Sequence, residues 1–474
     1  MYRHLSSSIT YIGYMVGLCI IYLLAVKKGI LPAVLFAGIP FILLCALGML
    51  QKFYSYYIFF VINYLIMGIS RYYPLKSGVI MLALTGVLLI TVLIKHIGEH
   101  PEWHRSKTYL TFIWGVWFLY CIFEFFNPLA MPEPWYISIT NYSLYPLVCA
   151  VIIPVLFTKF KHFKWLLILW AFLTLFAAAK GYWQRNRGFD SAELNWLFNE
   201  GGASTHIIYT GIRYFSIYSD AANFGAGMGL ASVILGISGF YIRQIWLKLL
   251  FWGTSIAGAY GLIISGTRSD VAIPFIGLAV FLVLSGKLKP ILISSIILAS
   301  AYIFLNHTTI GDHNRLIRRL RSTFNVEDAS WQARVGNREK IYPLMQDKPF
   351  GVGLGLGGVK ARRFKPHDHL VQIPTDSWFV MAWVETGIVG LILYVFVFIS
   401  LLAHASYIAV FKIRNNELKG ILLAIIGGIS GIFVTCYANE VFNYPNGIIV
   451  YTLLAFLYTA KYYDEELQHA TINP

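Results

Sequence analysis

Charged side chains are scarce in this sequence. Asp, Glu, Lys and Arg make up 12% of its 474 residues, about half the share usual in a soluble domain. With a mean hydropathy of +0.65, this excludes a soluble globular protein. Cysteine is sparse too: Cys19, Cys45, Cys121, Cys149 and Cys436 all sit inside apolar runs, without the spacing of a metal site or a disulfide framework. No internal repeat or low-complexity tract is visible. The net charge of +15 does not argue for nucleic acid, because the Lys and Arg residues are spread over loops, where membrane topology and anionic lipid head groups also demand them.

What is there instead is long apolar runs. Stretches of roughly 17–25 residues, long enough to cross the hydrocarbon core as helices, recur almost end to end, whereas barrel strands run to about 10 alternating residues. The reading is an all-α integral membrane protein, a polytopic bundle of about 12–14 transmembrane helices. Spans are expected near 9–26, 29–49, 53–70, 77–94, 108–126, 142–158, 164–181, 216–239, 246–265, 271–286, 290–305, 377–403, 420–439 and 444–461. The N-terminal run lacks a small-residue cleavage site and reads as an uncleaved first helix. The positive-inside rule puts both termini in the cytoplasm, with Lys27 and Lys28 the one blemish.

That orientation leaves two long outer segments, Trp183 to Tyr214 and Asn306 to Asp376. Loops beyond about 12–15 residues in a compact protein are functional or disordered. The second reads as partly helical, in "NRLIRRLRSTFNV", where Arg315, Arg318 and Arg319 share a face, and in "NREKIYPLMQ". Arg268, in "LIISGTRSDVAIPF", and Arg213, in "TGIRYFSIYSDAANFG", fall at the outer mouth of the bundle. Arginine suits phosphate because its planar fork makes bidentate bonds and stays ionised. Two such residues at the boundary are placed to hold the pyrophosphate of a lipid carrier. The competing reading is snorkelling to lipid phosphates.

Other motifs are weaker. "GVGLGLGG" contains G-x-G-x-x-G at Gly353, Gly355 and Gly358, but no strand precedes it and no helix opens after it. It is read as a flexible turn returning the loop to the membrane. "KPHDHLVQIPTDSWF" offers His367, His369 and Asp376 as general bases. Two histidines one residue apart make no metal site by themselves, and none is assigned. Glu385 lies inside an apolar span, where it serves as a proton relay or transporter site or, more simply, hydrogen-bonds a neighbouring helix or pairs with an arginine.

The order of an Arg before "SDAANFG", a span ending "SGTRS", an outer loop with "ARVGNREKIYPLMQDKPFGVGLGLGG" and a span beginning "TDSWFVMAWVETGIVGL" resembles the O-antigen ligase and O-antigen polymerase superfamily over about Tyr209 to Tyr394. The resemblance implies a bacterial inner-membrane glycosyltransferase of the glycosyltransferase C-like class, an O-antigen ligase in the first reading and an O-antigen or exopolysaccharide polymerase in the alternative. It implies four regions: helices over 1–208, arginine-bearing core helices over 209–305, a periplasmic loop over 306–376 and C-terminal helices over 377–474. It implies an undecaprenyl-pyrophosphate-linked glycan donor held by Arg213, Arg268 and Arg334, a glycan or lipid acceptor, and no cofactor. Where many members read His-Asn, this chain has Asp376-Ser377, so Asp376, His367 or His369 takes the place of the base. The alternative class is a lipid-linked glycan flippase, which would carry its polar residues at the bilayer midplane with repeat symmetry.

Overall fold

The computed structural model describes residues 54–96, 102–208, 211–286 and 329–472, with short pieces between 295 and 321. The expected spans near 9–26 and 29–49, most of that near 290–305, and the helix around Arg315, Arg318 and Arg319 lie outside the described residues.

The rest is helical. In order come α1 (Tyr54–Ile69), α2 (Ser77–His96), α3 (Tyr109–Phe123), α4 (Pro132–Ile139) leading through a π-helical turn into α5 (Tyr145–Leu156), α6 (Phe160–Arg187), α7 (Ser191–Asn199) and α8 (Ala203–His206). A two-residue hairpin follows, β1 (Ile207–Ile208) with β2 (Gly211–Ile212), antiparallel with Ile207 opposite Ile212. Then come α9 (Ala221–Tyr241), α10 (Ile245–Ser265), α11 (Ala272–Ser285), α12 (Ala329–Met345), α13 (Trp378–Tyr407), α14 (Asn416–Thr435) and α15 (Asn446–Ile472). Among the described residues seven helices are long and apolar enough to cross a bilayer, with three shorter apolar ones beside them. The chain is an all-α, multi-pass membrane protein.

Sequence chemistry sets the ends. Side chains of Thr108, Asp190, Asp220, Ser377 and Asn415 each accept a backbone N–H of the first helical turn, satisfying donors that lipid cannot. The core is a close pairing of α9 with α10, α11 and α14, made possible by small residues. A Cβ on Gly277 would stand 3.1 Å from the Gly427 carbonyl, and one on Gly258 2.8 Å from that of Met228. With no hydrophobic drive between helices in lipid, such close approach supplies the packing.

One helix is broken. Gly387, at φ +69°, interrupts α13, and a break inside lipid leaves backbone groups that must find partners. The segment read as a flexible turn supplies them. Val352 N–H donates to the Val384 carbonyl at 3.0 Å, Gly353 N–H to that of Glu385 at 3.0 Å, and Val389 N–H to Pro349 at 3.3 Å. Gly351, Gly353, Gly355 and Gly358 all have positive φ, a backbone path closed to most side chains. The glycines therefore serve close docking onto the broken helix rather than slack. Glu385 joins the same junction: it is buried, and its Oε1 accepts the Gly357 N–H at 3.3 Å. This segment is one partner of Glu385, and Tyr142, on the π-helical turn between α4 and α5, is another.

Candidate functional site

Contacts between loops show which helix ends share a face. Arg71, after α1, donates to the carbonyls of Ser216, Tyr218 and Ser219, and its guanidinium lies between the rings of Trp196 and Phe215, 4.7 and 4.3 Å from their centroids. Lys180 binds Asp190 and Glu193 at 2.9 Å, and Gln184 holds Ser216 through its backbone. This belt fixes the segment between α6 and α9, which carries Arg213.

Arg213 follows the hairpin. Its Nη1 donates to the Thr205 carbonyl at 3.1 Å and its Nη2 to Thr267 Oγ1 at 2.7 Å, while its buried Nε has no partner. Thr267 stands next to Arg268 on the turn between α10 and α11. From the same turn, Ser269 Oγ and Asp270 Oδ1 accept the Asn439 amide at 2.5 and 3.0 Å. Asn439 Oδ1 in turn accepts Arg334 of α12 at 3.4 Å. Asn337, one turn along α12, donates to Asp376 Oδ2 at 2.7 Å. Asp376 has a left-handed backbone, φ +55°, which costs an ordinary L-residue about 1–2 kcal/mol and is tolerated best by Asn and Asp. That turn lets Ser377 cap α13 while Asp376 faces α12.

These residues meet at a cavity of about 340 Å³ whose wall includes Arg213, Arg334, Lys360, Asp220, Asp376 and Glu440. Arg268, half-buried, is not in the wall, but its charge reaches it. Burial holds Arg213 below the ordinary guanidinium value, with Arg334 and Arg268 adding to the effect and Asp220 and Asp270 opposing it. Burial likewise lowers Arg334; Asp376 opposes this, and Arg268 and Arg338 deepen it. Two guanidinium groups in the wall, with a third near enough to repel both, suit an anion. Lys360 has its own partner: Glu440 raises its pKa and binds it at 2.8 Å.

His206 closes the back of the site. Its Nε2 accepts the Ala221 N–H at 3.1 Å, so the proton is on Nδ1, which donates toward the Gly202 carbonyl at 2.9 Å. Burial pushes its pKa down to about 4, a shift that the Gly202 carbonyl and Asp220 only partly offset.

Of the residues the sequence singled out, Arg213, Arg334 and Asp376 come together in the cavity wall, with Arg268 immediately behind. His367 and His369 do not join them; both are exposed on the loop outside the cavity. Sequence reasoning passed over Arg71, Asn439 and Lys360. The available signal was "ANEVFNYPN", four polar side chains inside an otherwise apolar stretch, a pattern that marks function in membranes. Among the described residues no group of three or more His, Cys, Asp or Glu is arranged to hold a metal ion.

Residues 253–395 match the family model described as O-antigen ligase. That stretch includes Arg268, Arg334, Asp376 and the break at Gly387; Arg213 and Glu440 lie outside it. Over 341 residues the chain is 23% identical to an O-antigen polymerase of Salmonella muenchen, covering 68% of this chain and 80% of that protein.

Proposed function

We propose, for a chain that belongs with the O-antigen ligase and O-antigen polymerase superfamily, that it transfers a glycan from undecaprenyl pyrophosphate to an acceptor hydroxyl at the outer face of the bacterial inner membrane. The observation that carries this reading is the convergence of Arg213, Arg334 and the adjoining Arg268 on one cavity at one end of the bundle.

The chemistry follows from those groups. The acceptor oxygen attacks the anomeric carbon, the bond from that carbon to the pyrophosphate oxygen breaks with inversion, and the electron pair leaves on the phosphate. The three guanidinium groups stabilise that developing charge, the role a divalent ion plays elsewhere, and the reaction is read as metal-independent. Asp376 takes the acceptor's proton: Asn337 occupies Oδ2 and aims the carboxylate. His367 and His369 are set aside because their loop stands away from the cavity.

The ligase reading places the acceptor on lipid A core or another envelope molecule; the polymerase reading places it on a second carrier-linked repeat. The name of the relative that aligns over most of its length favours the second, and the family match favours the first. A flippase is disfavoured because the charged residues gather at the ends of the bundle rather than at mid-span. The test is transfer by purified protein from a defined carrier-linked donor. Product formed equally in EDTA supports the scheme, and activity restored only by Mg²⁺ or Mn²⁺ overturns its metal-free part. Glycan crossing proteoliposomes with no new bond overturns the transferase reading. In a deletion strain, short repeats left on the carrier identify a polymerase, and full-length polymer without an anchor identifies a ligase.

A further inference from the structure

The arginines explain only one end of the cavity. Guanidinium groups donate and never accept, which suits a pyrophosphate, itself only an acceptor. A carboxylate beside that pyrophosphate is repulsive, yet Glu440 is built into the wall with care. Its carbonyl is held by the amides of Asn223 at 3.1 Å and Asn443 at 3.0 Å. Its Oε1 accepts the Thr375 hydroxyl at 2.7 Å, and its Oε2 accepts Lys360 Nζ at 2.8 Å. Thr375 is itself fixed from behind: Gly358 stands so close that a Cβ there would lie 2.8 Å from the Thr375 hydroxyl.

Two lone-pair positions on the Glu440 carboxylate remain after these bonds, because a carboxylate accepts about four. The Lys360 side chain is 67% exposed and has ammonium protons to spare. This end of the cavity therefore offers acceptors and donors side by side. An anion has no use for the acceptors. A hydroxyl, which donates and accepts at once, needs both. The other carboxylates do not compete for the role. Asp220 already accepts three hydrogen bonds, from the Asn223 backbone, Ser219 and the Asn223 amide, which leaves it one position to Glu440's two, and Asp376 stands at the anion end, where Arg334 feels its charge and where it is assigned to proton transfer.

We propose that Glu440, with Lys360 and Thr375, forms a sugar subsite in which the Glu440 carboxylate accepts hydrogen bonds from hydroxyls of the donor's first sugar residue. This rests on the reading of the arginine end as the pyrophosphate site. It makes Glu440 a specificity-determining residue, apart from the proton transfer assigned to Asp376. The rival explanation is an ion pair that only fastens the loop bearing Lys360 to the segment between α14 and α15.

The experiment compares two ligands on the purified chain in nanodiscs: undecaprenyl pyrophosphate without sugar, and the same lipid bearing one hexose or N-acetylhexosamine. Wild type binds the sugar-bearing lipid more tightly. Glu440→Gln keeps the side chain's size but removes the charge and one acceptor. It should weaken the sugar-bearing lipid roughly 10- to 100-fold, the worth of a hydrogen bond to a charged group. Affinity for the bare lipid should be unchanged or slightly tighter, since a like charge has gone. Thr375→Val, which frees Oε1 from its orienting hydroxyl, should shift the same ratio in the same direction, and decides the matter if Glu440→Gln does not fold. Equal loss for both lipids, or no loss for either, overturns the subsite and leaves the pyrophosphate reading standing. Wild type that binds neither lipid overturns both.

Discussion

On the face opposite the cavity, Asp464 accepts the backbone N–H groups of Arg414 and Asn415, Glu466 accepts that of Phe160, and Lys164 pairs with Glu417. On the cavity face, Arg213 leaves a buried Nε without a partner and Asp270 its Oδ2, while Asp376 takes a backbone conformation few residues tolerate. Both faces are rich in charge, but they use it differently. Opposite the cavity, acidic groups tie helix starts to neighbouring helices, and basic residues are dispersed along loops. At the cavity, cations from three separate segments are drawn together against their mutual repulsion, an arrangement a folded chain keeps when a ligand repays it. The positive-inside rule reads the dispersed face as cytoplasmic, and the proposed function takes the cavity face as the outer one.

The comparison breaks most sharply at Asp376. If it is the proton acceptor, Asp376→Asn lowers the transfer rate by about 10²- to 10⁴-fold, with folding retained because Asn also tolerates the left-handed turn. Near wild-type turnover by this variant removes Asp376 from the chemistry. Next in size, Arg213→Lys and Arg268→Lys should each lower the rate roughly 30- to 1000-fold, about 2–4 kcal/mol of stabilisation of the leaving group, because an ammonium cannot reproduce two parallel bonds from a planar fork. Equal abundance with unchanged turnover would return both arginines to lipid anchoring. Arg71→Met should act on stability instead. Three carbonyls lose their donor and two rings their cation, a cost of about 2–4 kcal/mol, read as a lower unfolding midpoint, with catalysis retained at low temperature.

The pH dependence is a finer probe. The folded pKa of His206, about 4, lies below the unfolded value of about 6.5. Between these values the unfolded chain binds a proton that the folded chain does not. Stability therefore falls as pH drops from about 6.5 to 4, by at most about 3 kcal/mol, and is unaffected by this group above 6.5. Thermal unfolding followed across that window should show the slope in wild type and its loss in His206→Gln. The smallest effects belong to the opposite face. Breaking the exposed pair of Lys461 with Glu465 should change stability by less than about 1 kcal/mol, and Lys412→Gln should leave turnover untouched. A large loss of transfer from either would mean that the two faces do not divide the labour as described.

Much of this was legible in the sequence, and for a local reason. Whether a stretch crosses a bilayer depends on the summed transfer energies of consecutive side chains, so α3, α6, α10 and α13 fall within a few residues of the expected spans. The alternation of spans also put Arg213, Arg268 and Arg334 at one end. What the tertiary structure alone decided is who stands beside them. Asn439 meets Ser269 across 170 positions of sequence, Glu440 reaches Lys360 across 80, and the glycine segment docks on a helix break whose freed carbonyls no local pattern announces. His367 and His369 look as apt as Asp376 in sequence, and only the path of their loop separates them from it. Hydropathy is additive along the chain and can be read there. A hydrogen bond between helices depends on rotation, register and the small residues that let two backbones approach, and those are settled only when the helices pack.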